Sequence, residues 1–465
     1  MKKLRWVMDG GFWDLDISTP ITVDGVTRPI PDHPLPLGLS RGTKLTRPKQ
    51  IDFLQRFMFL PFVPSYAGHK SNGGNALALQ RVIAFPFHEN WFATVLGEFN
   101  IQKFVSSVKE SGFKHTEKYA WVKNIGSHLC DTSLYALGLC SEFFITPDDT
   151  LLVSSEKYGD KKSPRHKAVF QHNFPQHNLT VEAAWPGLFT DKSSTYWDVP
   201  SLVEIDLAST SSDSGSSYHL CAHHLNGVPK QLDGDQTAHT HAALQPGLCL
   251  KSAFSIKKNL DIWRSKEGKL KMVQPFDVFL SDPHLSLSGI FGTVLTATFG
   301  DNSMGVRRED QSHGINICGP NKSAILADFF ATISCTAQHG NFQRLFLDLT
   351  RAHARLDFPS GSTLVTGAAR LAQDLYNSKR PDLEAVQTIC PKVTLSFQQQ
   401  IFGEFSFRID SNLAFDLKNS EWRPQVNNTV YAIEYALKVL GSAKAVAWYS
   451  PKNKEAMVEL RFFEN

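Results

Sequence analysis

Gly38-Leu-Ser-Arg-Gly42 has the G-x-S-x-G spacing that lifts a serine nucleophile onto a sharp turn between a strand and a helix. The residues before it, Asp32-His-Pro-Leu-Pro-Leu37, include Pro34 and Pro36, and proline cannot donate to the ladder of a central strand. Ser40 therefore lacks the context that hydrolase chemistry needs. The chain is read as a non-enzyme, with a lipid hydrolase using Ser40 kept as an alternative. A second group is His219, His223, His224, His239 and His241. On a strand, His219 and His223 would share one face, as zinc ligands could. The nearby Asp233 and Asp235 fall in a loop-like stretch, so these histidines are read as strand and loop residues. No metal and no cofactor is expected. His353 lies with Arg351, Arg355 and Asp357 on an alternating segment, the arrangement of a polar barrel interior.

The cations form the more suggestive set. Arg28, Arg41, Lys44, Arg47, Lys49 and Arg56 lie among Leu35, Leu37, Leu39, Phe53 and Phe57. Lys109, Lys114, Lys118 and Lys123 lie among Phe113, Tyr119 and Trp121. Cations beside apolar and aromatic groups suit an anionic lipid, whose headgroup pairs with charge while its chains take the apolar surface. The forked arginine favours a phosphate monoester. A solvated charged face is the competing reading. The net charge of +3 on 465 residues does not argue for nucleic acid, and none is expected as a partner.

The elements that would position these residues are strands. From Lys392 to the C-terminus, apolar side chains alternate with polar or small ones. Val393, Leu395 and Phe397 are followed by Phe405, Phe407 and Ile409, by Leu413, Phe415 and Leu417, and by Tyr431, Ile433 and Tyr435. Lys444–Tyr449 and Met457–Phe463 close the chain. A period of two broken by turn residues reads as an antiparallel meander. Tilted strands of about 9–11 residues cross a bilayer, and closing the sheet removes its edges. A soluble β-sandwich has the same rhythm and stays open as an alternative.

Upstream, strand-like segments recur at Ser133–Phe144, Thr150–Lys157, Arg165–Phe174, Leu179–Trp185, Leu202–Ala208, Tyr218–His224 and Leu248–Lys257. Further ones fall at Asp277–Leu287, Ile290–Phe299, Ala331–Gln338, Gln343–Thr350 and Ala354–Phe358. Asn100 is placed to cap a helix bearing Ile101, Phe104, Val105 and Val108, and helices are also expected over Ile51–Met58 and near residues 362–390. No window approaches 18 consecutive apolar residues, which excludes a helical span and leaves a barrel open. Seven scattered cysteines without a CxxC point to free thiols and a reducing compartment. The N-terminus lacks a secretory apolar core, and Asp14 and Asp16 spoil a transit-peptide pattern, so no cleaved presequence is expected.

Several long stretches resemble one plant family. They are Phe12-Trp-Asp-Leu-Asp-Ile-Ser-Thr-Pro20, Pro34-Leu-Pro-Leu-Gly-Leu-Ser-Arg-Gly-Thr43, Tyr135-Ala-Leu-Gly138 and Ala184-Trp-Pro-Gly-Leu-Phe189. Tyr196-Trp-Asp-Val-Pro200, Asp348-Leu-Thr-Arg351, His353-Ala-Arg-Leu-Asp-Phe-Pro359 and Met457-Val-Glu-Leu-Arg-Phe-Phe463 complete the set. They are similar to the fourth component of the trigalactosyldiacylglycerol lipid-trafficking set of the chloroplast outer envelope. The likeness is thinnest over residues 66–76 and 209–243.

That resemblance implies a self-associating, homodimeric outer-envelope β-barrel that binds phosphatidic acid and other envelope lipids. It implies lipid movement from the endoplasmic reticulum, at contact sites, toward galactolipid synthesis in the plastid. The implied partners are an inner-envelope ABC-type transporter and its substrate-binding subunit. Lipid binding in the family belongs to the N-terminal part, which here holds the basic segments above. The expectation is thus an all-β antiparallel transmembrane barrel of roughly 14–18 strands. Residues 1–130 are expected to form an irregular lipid-contact portion with short helices, and residues 131–465 the barrel. A membrane tether without transport activity is the other alternative.

Overall fold

The computed structural model describes residues 8–9, 21–22, 25–26, 28–29, 62–67, 76–110, 120–159, 163–190, 196–209, 215–231, 244–261, 284–299, 315–319, 323–340, 346–358, 360–378, 385–386, 389–416, 423–437, 443–452 and 454–462. Where these residues alternate in side-chain character they form strands, and eighteen strands close into one antiparallel barrel. In chain order they begin with β1 (Val63–Ala67), β2 (Ala76–His88), β3 (Trp91–Asn100), β4 (Tyr135–Phe144), β5 (Asp149–Tyr158) and β6 (Arg165–Asn173). They continue with β7 (His177–Trp185), β8 (Ser201–Ser209), β9 (Ser216–Asn226), β10 (Gly247–Asp261), β11 (His284–Phe299) and β12 (Ser323–His339). The last are β13 (Thr350–Phe358), β14 (Lys392–Phe402), β15 (Phe405–Asp416), β16 (Arg423–Leu437), β17 (Ala443–Ser450) and β18 (Glu455–Phe462).

Each barrel strand pairs with its sequence neighbour, and β18 returns to β1 through Glu455 opposite Ala67, Ala456 opposite Tyr66 and Met457 opposite Ser65. Met8 and Asp9 continue that seam, lying parallel to Leu460 and Arg461. Beyond the end of β13, Ile315–Gly319 takes the same flank of β12, opposite residues 323–327. The sheet therefore presents few free peptide groups to hydrocarbon, where each would cost several kcal/mol.

The two faces differ sharply. Along β4, Tyr135, Leu137 and Leu139 are exposed while Ala136, Cys140 and Glu142 are buried. On β12, Ile333 is 56% exposed and its neighbour Thr332 only 3%. Along its middle the outward row is mostly apolar: Val203 and Ile205, Leu220, Leu250 and Phe254, Phe291 and Leu295, Leu395 and Phe397, Tyr431 and Ile433. The inward row is largely polar, including Gln80, Glu98, Glu142, Glu204, Thr296, Gln398, Arg408 and Glu434. A soluble sandwich would bury its apolar row, so this orientation is that of a barrel whose solvent is lipid. Aromatic side chains collect at strand ends, as Phe87, Trp91 and Phe143 do, with ring centroids 4.6 Å and 5.6 Å apart. Phe402, Phe405 and Tyr435 form a similar group at 4.9 Å and 4.7 Å.

Three expectations need correction. Residues 76–100, expected to belong to an irregular N-terminal portion, form the long strands β2 and β3, so the barrel starts well before residue 131. The break expected between Leu287 and Ile290 does not exist. Ser288 and Gly289 sit inside β11, paired with Lys257 and Ile256 on one side and Ser334 and Ile333 on the other. Gln343–Thr350 is not a barrel strand. Its described part is bent by Leu347 at φ 47°, with only an isolated bridge from Phe346 to Phe402. Its backbone is held instead by the Gln400 side chain, whose Oε1 accepts from the N–H groups of Asp348 and Leu349 at 2.9 Å and 3.2 Å. The helix expected over Ile51–Met58 lies outside the described residues. The one expected at Asn100 is present as α1 (Ile101–Glu110), with Asn100 Oδ1 accepting from Lys103 N at 2.9 Å. The helical insertion after β13 is present over Gly361–Tyr376, capped by Ser360.

An arginine on the lipid face near a bilayer midplane costs about 2–4 kcal/mol. Phe291, midway along β11 and facing out, is predicted to show this: Phe291→Arg should destabilise the liposome-embedded barrel by about that amount in denaturant titration. Thr296→Val, an inward change of similar shape, should cost less. Equal effects would mean the faces are misassigned.

Candidate functional site

Connections at the two rims of the barrel are unequal. Among the described residues, one rim carries tight turns: residues 89–90 between β2 and β3, 145–148 between β4 and β5, 174–176 between β6 and β7, and 403–404 between β14 and β15; its longer connection 262–283 lies outside the described residues. The opposite rim carries α1, α2 (Ala120–Leu129), α3 (Gly361–Tyr376) and a small second sheet. The elaborated rim offers more surface than the tight hairpins do.

The residues there explain why the elaboration holds its shape. Phe104 on α1 stacks near Phe99 of β3 at 5.8 Å, and Phe99 meets Tyr135 of β4 at 5.3 Å. Lys103 Nζ donates to the Ser133 carbonyl at 3.3 Å, and Tyr135 Oη donates to the Leu129 carbonyl at 2.7 Å. These two bonds tie α1 and the end of α2 to the start of β4. Asp131 caps the short turn Thr132–Leu134, and the Ser133 N–H, with the Ser133 hydroxyl next, holds its carboxyl below the ordinary aspartate range.

The small sheet consists of the hairpin Gly187–Thr190 and Tyr196–Val199, edged by Lys230–Gln231 on one side and by Arg28–Pro29, in parallel, on the other. Alternation buries Trp197 and Val199 with Phe189 against Ala184, Leu202, Leu225 and Leu244, so this sheet and the ends of β7, β8 and β9 share one core. Asp198 points the other way, accepting from Arg165 Nη1 at 2.6 Å, while Arg165 Nη2 donates to the Pro186 carbonyl at 3.4 Å.

Of the lipid-contact residues expected from sequence, Arg28 lies opposite Phe189 on this sheet and Lys123 lies on α2. The fold thus brings both to the elaborated rim. Arg41, Lys44, Arg47, Lys49, Arg56, Lys114 and Lys118 lie outside the described residues, as do Ser40, His239 and His241.

The lumen has a different character. Of the buried charged side chains on the described strands, ten are carboxylates and two, Lys251 and Arg408, are cations. Half-buried Arg165, Lys167, Arg351 and Arg355 reduce the imbalance without removing it. Several of these charges are paired: Lys167 with Glu182 at 2.8 Å, Arg355 with Asp357 at 2.8 Å, and Arg408 with Asp410 at 2.9 Å and Glu434 at 3.7 Å. His353 accepts or donates at 2.7 Å with Thr336, so the alternating set around it lines the interior as expected. His219 and His223 are buried and face the lumen, whereas His224 faces out. They were expected as ordinary strand and loop histidines. Cys221 shares their inward face by its spacing on β9, and the register of β8 on β9 brings Glu204 opposite His223.

No family model matches the chain. A curated relative, Protein TRIGALACTOSYLDIACYLGLYCEROL 4, chloroplastic, of Arabidopsis thaliana, is 52% identical over 478 aligned positions that cover all of both chains. The chain belongs to the TRIGALACTOSYLDIACYLGLYCEROL 4 family. The resemblance drawn from the motifs is thereby established across its length, including the barrel strands that carry Tyr135–Gly138 and His353–Phe358.

Removing an aromatic core side chain costs about 3–5 kcal/mol. Trp197→Ala is predicted to loosen the small sheet by that order while leaving the barrel intact. Limited proteolysis should cut the elaborated rim faster, with the far-ultraviolet circular dichroism of the barrel unchanged. Loss of both together would show that the sheet and the barrel are one cooperative unit.

Proposed function

We propose that this protein moves lipid at the chloroplast outer envelope, capturing phosphatidic acid at the elaborated rim. Lipid precursors arriving from the endoplasmic reticulum would pass to the plastid for galactolipid synthesis. The observation that carries the reading is the conjunction of an apolar outer belt with an acid-rich lumen in a chain of this family. The belt seats the protein in a bilayer. The charged groups of the lumen, mostly carboxylates, repel a phosphate monoester. An anionic lipid is therefore better received outside the lumen, at the rim where Arg28 and Lys123 lie. Passage of the headgroup through the barrel, the simplest conduit, fits these charges poorly.

The reading involves no covalent chemistry and needs no cofactor. Self-association, an inner-envelope ABC-type transporter and its substrate-binding subunit are the proposed partners. A tether that only holds two membranes together is the competing function, and a transfer assay separates them: a tether moves lipid no faster than membrane proximity alone.

A juxtamembrane cation contributes about 1 kcal/mol to anionic-lipid binding. Replacing Arg41, Lys44, Arg47 and Lys49 together with Ala is thus predicted to weaken binding to phosphatidic acid liposomes by up to about a thousandfold. Binding to phosphatidylcholine liposomes should be unchanged. An unaltered preference for phosphatidic acid would remove these residues from the site.

A further inference from the structure

We infer that the inner wall of the barrel holds a site for a divalent transition-metal ion, formed by Glu204 on β8 and Cys221 and His223 on β9. The ligand atoms of these three side chains lie within 4.8 Å of one another. Cys221 Sγ is 3.5 Å from Glu204 Oε1 and 3.8 Å from His223 Nδ1. Tetrahedral bonds of about 2.3 Å to sulfur and about 2.0–2.2 Å to nitrogen and oxygen set neighbouring ligand atoms roughly 3.5 Å apart. Both sulfur distances come near that spacing with the present rotamers, and the third pair lies within 4.8 Å.

Register explains why. Cys221 and His223 are two residues apart and so share the inward face of one strand. Glu204 stands directly across from His223, and Asp206 directly across from Cys221. Pairing on either side extends the row: Glu182 faces Glu204 from β7, and Cys249 faces His223 from β10. A thiolate, an imidazole and a carboxylate form a donor set of mixed softness that suits zinc better than magnesium or calcium.

The charges around the site also fit. Lys167 pairs with Glu182, and Asp206 is bound to His219. Lys251, opposite Cys221 on β10, lies 5.6 Å from the centre of the Phe330 ring. A thiolate and the Glu204 carboxylate together match the two charges of the ion. The bound ion would pin β8 to β9 next to the core shared with the small sheet, on the side of the wall that leads to the elaborated rim.

The test uses the full chain folded in detergent micelles, stripped with a chelator and then offered zinc or cobalt(II) alone. About one zinc per chain should survive dialysis, and cobalt should develop the near-ultraviolet charge-transfer absorption of a thiolate ligand. Cys221→Ser, nearly isosteric, should abolish that absorption and weaken zinc binding at least tenfold, and His223→Ala should do likewise. His224→Ala and Cys335→Ser, which alter outward-facing residues, should change neither. The site is refuted if the wild type retains no zinc, or if Cys221→Ser with an unchanged β-sheet circular dichroism spectrum retains zinc and the cobalt band. A refuted site would leave the three side chains as a hydrogen-bonded cluster only.

Discussion

The structure depends on a constraint imposed by hydrocarbon: a peptide N–H or C=O left without a partner there costs several kcal/mol. A sheet meets the constraint only by closing on itself. Here the closure is unequal around the circumference. β11 and β12 share a register running from His284 opposite Gln338 to Phe299 opposite Ser323. Among the described residues, the joint of β18 with β1 is carried by Glu455, Ala456 and Met457, and Met8 and Asp9 lie along Leu460 and Arg461. Recruiting a segment from the far N-terminus to finish the last strand is what the constraint predicts when the first strand is only five residues long. The same rule governs β12, whose upper part, beyond β13, is covered by Ile315–Gly319.

Closure creates an inside, and the inside must be solvated by side chains. Carboxylates, glutamines and hydroxyls along it are joined by hydrogen bonds, such as Gln80 to Glu98 at 2.7 Å and Gln398 to Glu434 at 3.0 Å. Buried charges placed this way are tolerated because each finds a partner, not because they add much stability. Apolar groups share the inward face, as Phe92, Leu96, Val446 and Trp448 do, and one such cluster forms where Gly292 leaves room for the Phe330 ring beside Cys249, Ala253 and Val294. The result is a barrel with greasy exterior, anionic interior and one elaborated mouth.

Much of this was legible in the chain before any coordinates. Strands whose inward positions are polar announced themselves: Phe405, Phe407 and Ile409 against Ser406, Arg408 and Asp410 form a clean two-residue rhythm. β2 and β3 did not, because Ala78, Val82, Ala84, Phe92 and Leu96 put apolar groups on the inward face too, and the alternation blurs. Ser288-Gly289 imitates a turn, yet a fully paired strand accommodates both residues. Gln343–Thr350 imitates a strand, yet Leu347 at positive φ turns the backbone away from the sheet. The cationic segments were visible as composition, and the rim position of Arg28 only through its pairing with Phe189. The grouping of Glu204, Cys221 and His223 was beyond sequence reasoning, since register between β8 and β9 is a tertiary fact.

The central claim is that the outward row meets acyl chains while the inward row does not. Single fluorophores at Val203, Glu204, Ile205 and Asp206, on otherwise cysteine-free protein in liposomes, read this directly through quenching by brominated lipid chains. Strong quenching at Val203 and Ile205, with little at Glu204 and Asp206, is the predicted result. Quenching that is uniform along the four positions, or absent from all of them, would contradict the account.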